Sequence, residues 1–161
     1  MVGSMGHTLS IAQGVALAQP QRRVWCIDGD GGLLMHMGSL VSTAGAGANN
    51  LVHVVLNNSC HESVGGQRTA ASQASPAPAG PFFPALARAA GYARVFSATS
   101  GDELRNLNVL GEENIPGSVF LEITTRVDSS LNKKLPRPKE TLAQFRDAVY
   151  GFLQIKPTPA Q

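Results

Sequence analysis

The feature that most constrains this chain is a set of short apolar runs with no alternation in them. Leu51-Val52-His53-Val54-Val55-Leu56 is nearly all branched aliphatic; Val24 to Ile27 and Val119 to Ile123 are of the same kind, and Ala93 to Phe96 is a weaker fourth. A strand with one wet face alternates apolar and polar residues, so an unbroken run suits a strand covered on both faces, as in a parallel sheet. Parallel neighbours need long crossovers, and the segments between the runs read as helices. Thr8 to Ala18 precedes the first run, Leu33 to Ala44 joins the first to the second, and Phe83 to Ala90 leads into Gly91, a natural helix stop. Ser100-Gly101-Asp102-Glu103 reads as a reciprocal capping box opening a helix to about Leu110. Leu142, Phe145, Val149, Phe152 and Leu153 mark one face of an amphipathic helix suited to packing on a sheet edge.

This alternation implies an α/β fold, a doubly wound parallel sheet flanked by helices. One domain is expected over residues 1–155, with Ser72 to Pro81 a mobile loop and 156–161 a frayed tail. At 161 residues the chain can bury a real core. Charged residues are only 15%, below the usual quarter, which fits either a surface covered by a partner or simply an Ala/Gly-rich sequence. The net charge is +2 and the basic residues are scattered, so no nucleic-acid-binding stripe is present. The apolar stretch Leu9 to Ala18 is interrupted by Ser10 and Gln13 and has no basic residue before it, so it reads as a helix rather than a signal peptide. Cys26 and Cys60 have no CxxC spacing and are expected as free thiols in a reducing, cytoplasmic setting.

Ligands of open parallel sheets sit beyond the carboxyl ends of the strands. The first run ends in Gly29-Asp30-Gly31-Gly32 and opens into a helix, an arrangement that presents backbone N–H groups to an anion and lets a phosphate come close. The second ends in Asn57-Asn58-Ser59-Cys60. Magnesium takes oxygen ligands in octahedral geometry and often shares them with phosphates. A carboxylate from Asp30, an amide oxygen from the Asn pair and a loop carbonyl would leave room for two phosphate oxygens and a water. The residue types therefore point to a magnesium–diphosphate site between two adjacent turns.

Gly29-Asp30-Gly31, 25 intervening residues and Asn57-Asn58 together resemble the thiamine diphosphate signature. Asn49-Asn50 does not compete, because it precedes the second strand. Gly3 to His7, Ile27 to Gly31, Leu34 to Gly38, His61 to Gln67 and Arg137-Pro138-Lys139 narrow the resemblance to phosphonopyruvate decarboxylases, with sulfopyruvate decarboxylase, in which the site can be shared between two chains, as the nearest competitor. The resemblance implies thiamine diphosphate and Mg2+ as cofactors and a metal held by Asp30, Asn58 and the Cys60 carbonyl. It implies cofactor contacts from Ser4, Met5, Gly6, Gly29, Asp30, Gly31, Gly32, Asn57 and Asn58, and a 2-oxo acid as substrate. It also implies that the family's domain has a further stretch ahead of Gly3, and that the catalytic glutamate comes from a pyrimidine-binding domain or subunit. Half an active site, completed in a homo- or hetero-oligomer, is the expectation.

Each candidate has a plainer alternative. His7 either faces the ligand or merely opens a helix; His61 and Glu62 are candidates for proton transfer or substrate binding, or are loop residues. Asp28 suits a cap or support for the diphosphate turn. Arg68 could pair with a phosphonate, or lie exposed. His36 reads as core or interface, His53 as a satisfied structural histidine, Cys26 as packing. A non-catalytic homologue is the second functional reading. A nicotinamide dehydrogenase is a distant third, since no G-x-G-x-x-G follows a strand.

Overall fold

The unbroken aliphatic run becomes the interior of the sheet. In a computed structural model of the chain, residues 4–73, 82–107, 117–127 and 138–154 are described. Helix α1 (Thr8–Ala18) leads to β1 (Val24–Gly29), then α2 (Asp30–Met35), α3 (Gly38–Gly45) and β2 (Leu51–Asn57). A small hairpin follows, β3 (Cys60–His61) and β4 (Gln67–Arg68), with a 3-10 turn at Glu62–Val64, and then α4 (Ala70–Gln73). After it come α5 (Phe82–Ala90), β5 (Arg94–Ala98), α6 (Gly101–Asn106), β6 (Val119–Thr124) and α7 (Leu142–Leu153).

Four of the described strands form a parallel sheet in the order β1-β2-β6-β5. Leu51 through Val55 are all buried, because β2 has a partner on each edge and cover on each face. One face carries Cys26, Leu51, Val55 and Phe120 against Leu9, Ala12 and Ala16 of α1, Leu40 of α3, and Phe83 and Ala87 of α5. The other carries Val52, Val54, Val119 and Leu121 against Phe96, Leu104 and Leu107. Helices therefore lie on both faces, as the doubly wound expectation requires. Trp25, Ile27 and Leu56 on the second face stay exposed.

Several local expectations need correction. The single helix from Leu33 to Ala44 is two helices, and the first begins earlier, at Asp30. The break falls at His36-Met37, where the His36 carbonyl accepts both the N–H (3.0 Å) and the hydroxyl (2.7 Å) of Ser39 and the chain restarts. At α6 the Ser100 hydroxyl does accept the Glu103 N–H (3.2 Å), but the short bonds of the Glu103 carboxylate go one residue further back, to the N–H (2.7 Å) and hydroxyl (2.8 Å) of Thr99. The helix closes at Asn106, and Leu110 lies outside the described residues. Ser72 and Gln73 of the expected loop end a short helix that starts at Ala70; residues 74–81 and the tail 156–161 are outside the described residues.

Residues 128–161 form a second compact unit. Within it, Thr141 and Gln144 close a full capping box on α7, and Leu142, Phe145, Val149 and Phe152 are exposed.

His53 is buried as expected, but it is not fully satisfied. Its Nδ1 lies 3.5 Å from the Tyr92 hydroxyl, whereas its Nε2 has no hydrogen-bond partner among the described residues. Phe120 packs edge-on at 5.3 Å, and Cys26 is its register partner on β1. Desolvation lowers its pKa from 6.5 to about 3, and the same effect pushes the Cys26 thiol up to about 12, with Asp28 adding to it. His53 is therefore neutral in the folded chain and takes up a proton only on unfolding. Its contribution to stability is complete above pH 6.5 and is lost as pH falls toward 3. Urea unfolding should show a loss of about 1.4 kcal/mol per pH unit from this group across that window. The slope should flatten in His53→Leu; an unchanged slope would assign the acid sensitivity elsewhere.

Candidate functional site

The site grows from the carboxyl ends of β1 and β2. β1 runs into α2 without a loop, Gly29 serving as the residue before the helix and Asp30 as its first residue. Asp28 Oδ1 accepts the Gly29 N–H (2.9 Å), and a Cβ at Gly32 would approach that oxygen to 2.6 Å. Oδ2 of Asp28 is buried without a hydrogen-bond partner among the described residues, and desolvation raises the carboxyl pKa against the lowering effect of the Gly29 bond. Asp28 thus caps the Gly29 amide, one of the two roles expected from its position. Asp30 is almost wholly buried, and its Oδ2 accepts the Thr69 hydroxyl at 3.0 Å. Gly31 has no room for a side chain, because a Cβ there would collide with the His61 imidazole.

The second turn is held from both sides. Asn57 Nδ2 donates to Glu122 Oε1 (2.7 Å), while its Oδ1 accepts the Ser59 N–H (3.0 Å). Ser59 sits at φ +63, a left-handed conformation that needs such support in a non-glycine residue. Asn58 Oδ1 accepts the Cys60 N–H (3.1 Å), and its Nδ2 donates to Glu62 Oε2 (2.8 Å). The pairing Cys60↔Arg68 and His61↔Gln67 then returns the chain to Thr69. Thr69 is fully buried and donates its N–H to the Ser59 carbonyl (3.1 Å), so it touches both turns. The Cys60 thiol is raised by desolvation first and then by the carboxylates of Glu62 and Asp30, which brings charge from both turns onto this residue.

A third segment packs on α2. The His7 N–H donates to the Ser4 carbonyl (3.1 Å), closing a turn over Met5 and Gly6. Gly6 is buried at φ +88; a Cβ there would collide with the His36 imidazole and lie 3.0 Å from the Gly32 carbonyl. His7 is exposed, and its ring packs against that of His36 at a tilt of 48°, with centroids 4.1 Å apart. His36 is itself exposed at the α2–α3 break, so the core alternative for it is set aside. Arg68 is exposed and bonds to Ser72 Oγ (3.3 Å).

Two residues of the site escaped sequence reasoning. Thr69 has no local signature. Glu122 had one: it is the charged residue inside the last apolar run, and register places it in one row with Val55 and Asp28. It is buried, and its pKa is raised by desolvation, lowered by the Asn57 bond and raised again by Asp30. Asp28, Asp30 and Glu122 are thus buried carboxylates at the carboxyl end of the sheet, with Asp30 acting on Glu122; among the described residues no three acidic, histidine or cysteine side chains come together closely enough to hold a metal by themselves.

A family model described as thiamine pyrophosphate enzyme, C-terminal TPP binding domain, matches residues 1–123. The chain belongs to this family. It is 39% identical, over 91% of its length, to phosphonopyruvate decarboxylase of Streptomyces viridochromogenes, and 37% identical over the same share to that of Streptomyces hygroscopicus. A sulfopyruvate decarboxylase subunit beta of Methanothermobacter thermautotrophicus is 48% identical over 43% of the chain. The chain spans 35% of each phosphonopyruvate decarboxylase and 37% of the beta subunit. A solved structure described as a thiamin diphosphate-dependent enzyme of Mycobacterium smegmatis superposes over 78% of this chain and 23% of its own, with a TM-score of 0.59 at 23% identity, and supports the fold.

The Asn57–Glu122 bond yields a test of how the site is held. Asn57→Ala leaves a buried carboxylate without its donor and should cost about 2–3 kcal/mol in urea unfolding. A loss near zero would mean that Glu122 is paired by other means.

Proposed function

We propose that this chain is the diphosphate- and magnesium-binding half of a 2-oxo acid decarboxylase, acting on 3-phosphonopyruvate to give phosphonoacetaldehyde and CO2. The observation that carries the proposal is the junction of the two signature turns: Asp30 is buried, one of its oxygens is taken by Thr69, and the same threonine holds the turn bearing Asn58 and Cys60. The residues fit the expected group. The donor set is all oxygen, as magnesium prefers, and Gly31 and Gly32 add no side chains of their own to the first turn of α2, where His61 and Asp28 approach. Asp30, Asn58 Oδ1 and the Cys60 carbonyl would hold the metal. The Gly29–Gly32 turn and the Ser4–Gly6 turn against it would take the diphosphate, with Asn57 shaping the neighbouring turn.

When bound, thiamine diphosphate supplies the electron sink for the carbanion left as the bond to the carboxylate carbon breaks. This chain's own residues anchor, orient and exclude water. His61 is the first candidate to exchange a proton with the substrate or to bind its anionic end, a reading that its position against Gly31 supports. Glu62 orients the Asn58 amide so that its oxygen faces away from the carboxylate, and a proton-transfer role is compatible with that bond. His7, braced by His36, is the third candidate. The glutamate that activates the cofactor's aminopyrimidine would come from a pyrimidine-binding domain or a second subunit, so the working unit is an oligomer or a longer polypeptide. Cys26 and Cys60 are both free thiols, which suits a cytoplasmic setting, and no described helix is long and apolar enough to cross a membrane.

Calorimetric titration of the chain with thiamine diphosphate, with and without Mg2+, tests the binding half. Binding should require Mg2+ and be lost in Asp30→Ala and Asn58→Ala; survival in both variants sinks the metal assignment. Decarboxylation assays with phosphonopyruvate, sulfopyruvate and pyruvate, with a pyrimidine-binding chain supplied, should favour the phosphonate. Preference for sulfopyruvate would make this a beta-type subunit, and no turnover with any substrate a non-catalytic homologue. Turnover by the chain alone would overturn the half-site claim.

A further inference from the structure

We infer that Thr69 is a positioning residue that restricts Asp30 to one metal-facing oxygen and so sets which cation the site accepts. The inference rests on the proposed metal assignment and goes beyond it, since Thr69 is not a ligand. It is fully buried and makes one bond to each turn: hydroxyl to Asp30 Oδ2 (3.0 Å) and N–H to the Ser59 carbonyl (3.1 Å). Its own carbonyl is pinned by the N–H (3.1 Å) and hydroxyl (2.7 Å) of Ser72, so the residue is held from behind as well. As a β-branched residue its χ1 is stiff, and little freedom remains for the hydroxyl to leave Asp30.

The plainer reading is a buried threonine that has simply found an acceptor. What distinguishes the two is the identity of that acceptor. A carboxylate with one oxygen engaged by a protein donor offers a cation a single oxygen. Magnesium accepts that readily, because it is small and octahedral, whereas calcium takes more oxygens and commonly chelates a carboxylate through both. Loss of the hydroxyl therefore has two separable effects: it frees Asp30 to rotate, weakening magnesium, and it exposes the second oxygen, favouring calcium. Groups that orient a ligand without touching the metal are generally worth about tenfold or more in affinity. A role confined to packing would weaken both cations in parallel.

The test is thiamine diphosphate titration of the chain in Mg2+ and separately in Ca2+, comparing wild type, Thr69→Val and Thr69→Ser, with thermal unfolding as the check on folding. Thr69→Val, which keeps shape and loses the donor, should lose about tenfold or more in Mg2+ affinity and distinctly less in Ca2+ affinity. Thr69→Ser should restore the Mg2+ preference. If Thr69→Val does not fold, Thr69→Cys, with only a weak donor, replaces it and should show the same shift. An unchanged Mg2+/Ca2+ ratio in the hydroxyl-free variant overturns the inference while leaving the proposed function standing. A wild-type chain that takes up thiamine diphosphate with neither cation overturns the proposed function, and the inference with it.

Discussion

A strand covered on both faces has no place for a polar side chain except at its ends, and in this chain that constraint organises everything else. β2 keeps Leu51 to Val55 out of water, so its polar residues collect where the strand leaves the sheet, at Asn57 and beyond. β1 runs parallel beside it in register and ends at the same level, which brings Asp28 and Asp30 to the same edge. Parallel pairing makes the two carboxyl ends neighbours, and the chemistry follows from that. The exception within β2, His53, is kept neutral by its surroundings.

Close approach is the second organising element. The helix that starts at Asp30 is short and poor in intrinsic propensity, with two glycines in its first turn. It persists because neighbours occupy the space where side chains would be: His61 against Gly31, Asp28 against Gly32, and the Ser4–His7 turn against the helix flank through Gly6. The glycines that weaken the helix locally are what let three segments converge on it. This convergence buries Asp30, Gly31 and Gly32 at the start of α2.

The carboxylates at this edge are managed in different ways. Asp28 bonds to the next backbone amide, Asp30 to a threonine hydroxyl, Glu122 to an asparagine amide, Glu62 to the other asparagine. None of these four contacts is an ion pair. A neutral donor does not cancel a carboxylate's charge as an arginine or lysine would, while desolvation raises the pKa of Asp28 and Glu122. The same arrangement fixes both amide groups of the Asn pair, so that Asn57 braces the sheet side and Asn58 faces the hairpin side.

The layer order, the strand positions and the two signature turns were legible in the residue pattern, because burial on both faces and glycine at a strand end are local demands that a short stretch of sequence must meet by itself. Thr8–Ala18 and the four strands of the parallel sheet were read to within about two residues for that reason, whereas the hairpin strands β3 and β4 were not read. The helix break at His36, the redirected Glu103 carboxylate and the unsatisfied Nε2 of His53 were not legible, since each depends on which neighbour arrives in space. Thr69 is the clearest case. Nothing around it in the chain marks it, and its role exists only because a hairpin carries it back across 39 positions of sequence to Asp30. Residue pattern determined which turns could bear oxygen ligands; tertiary structure decided how those oxygens are oriented, because hydrogen-bond direction depends on partners that local sequence does not contain.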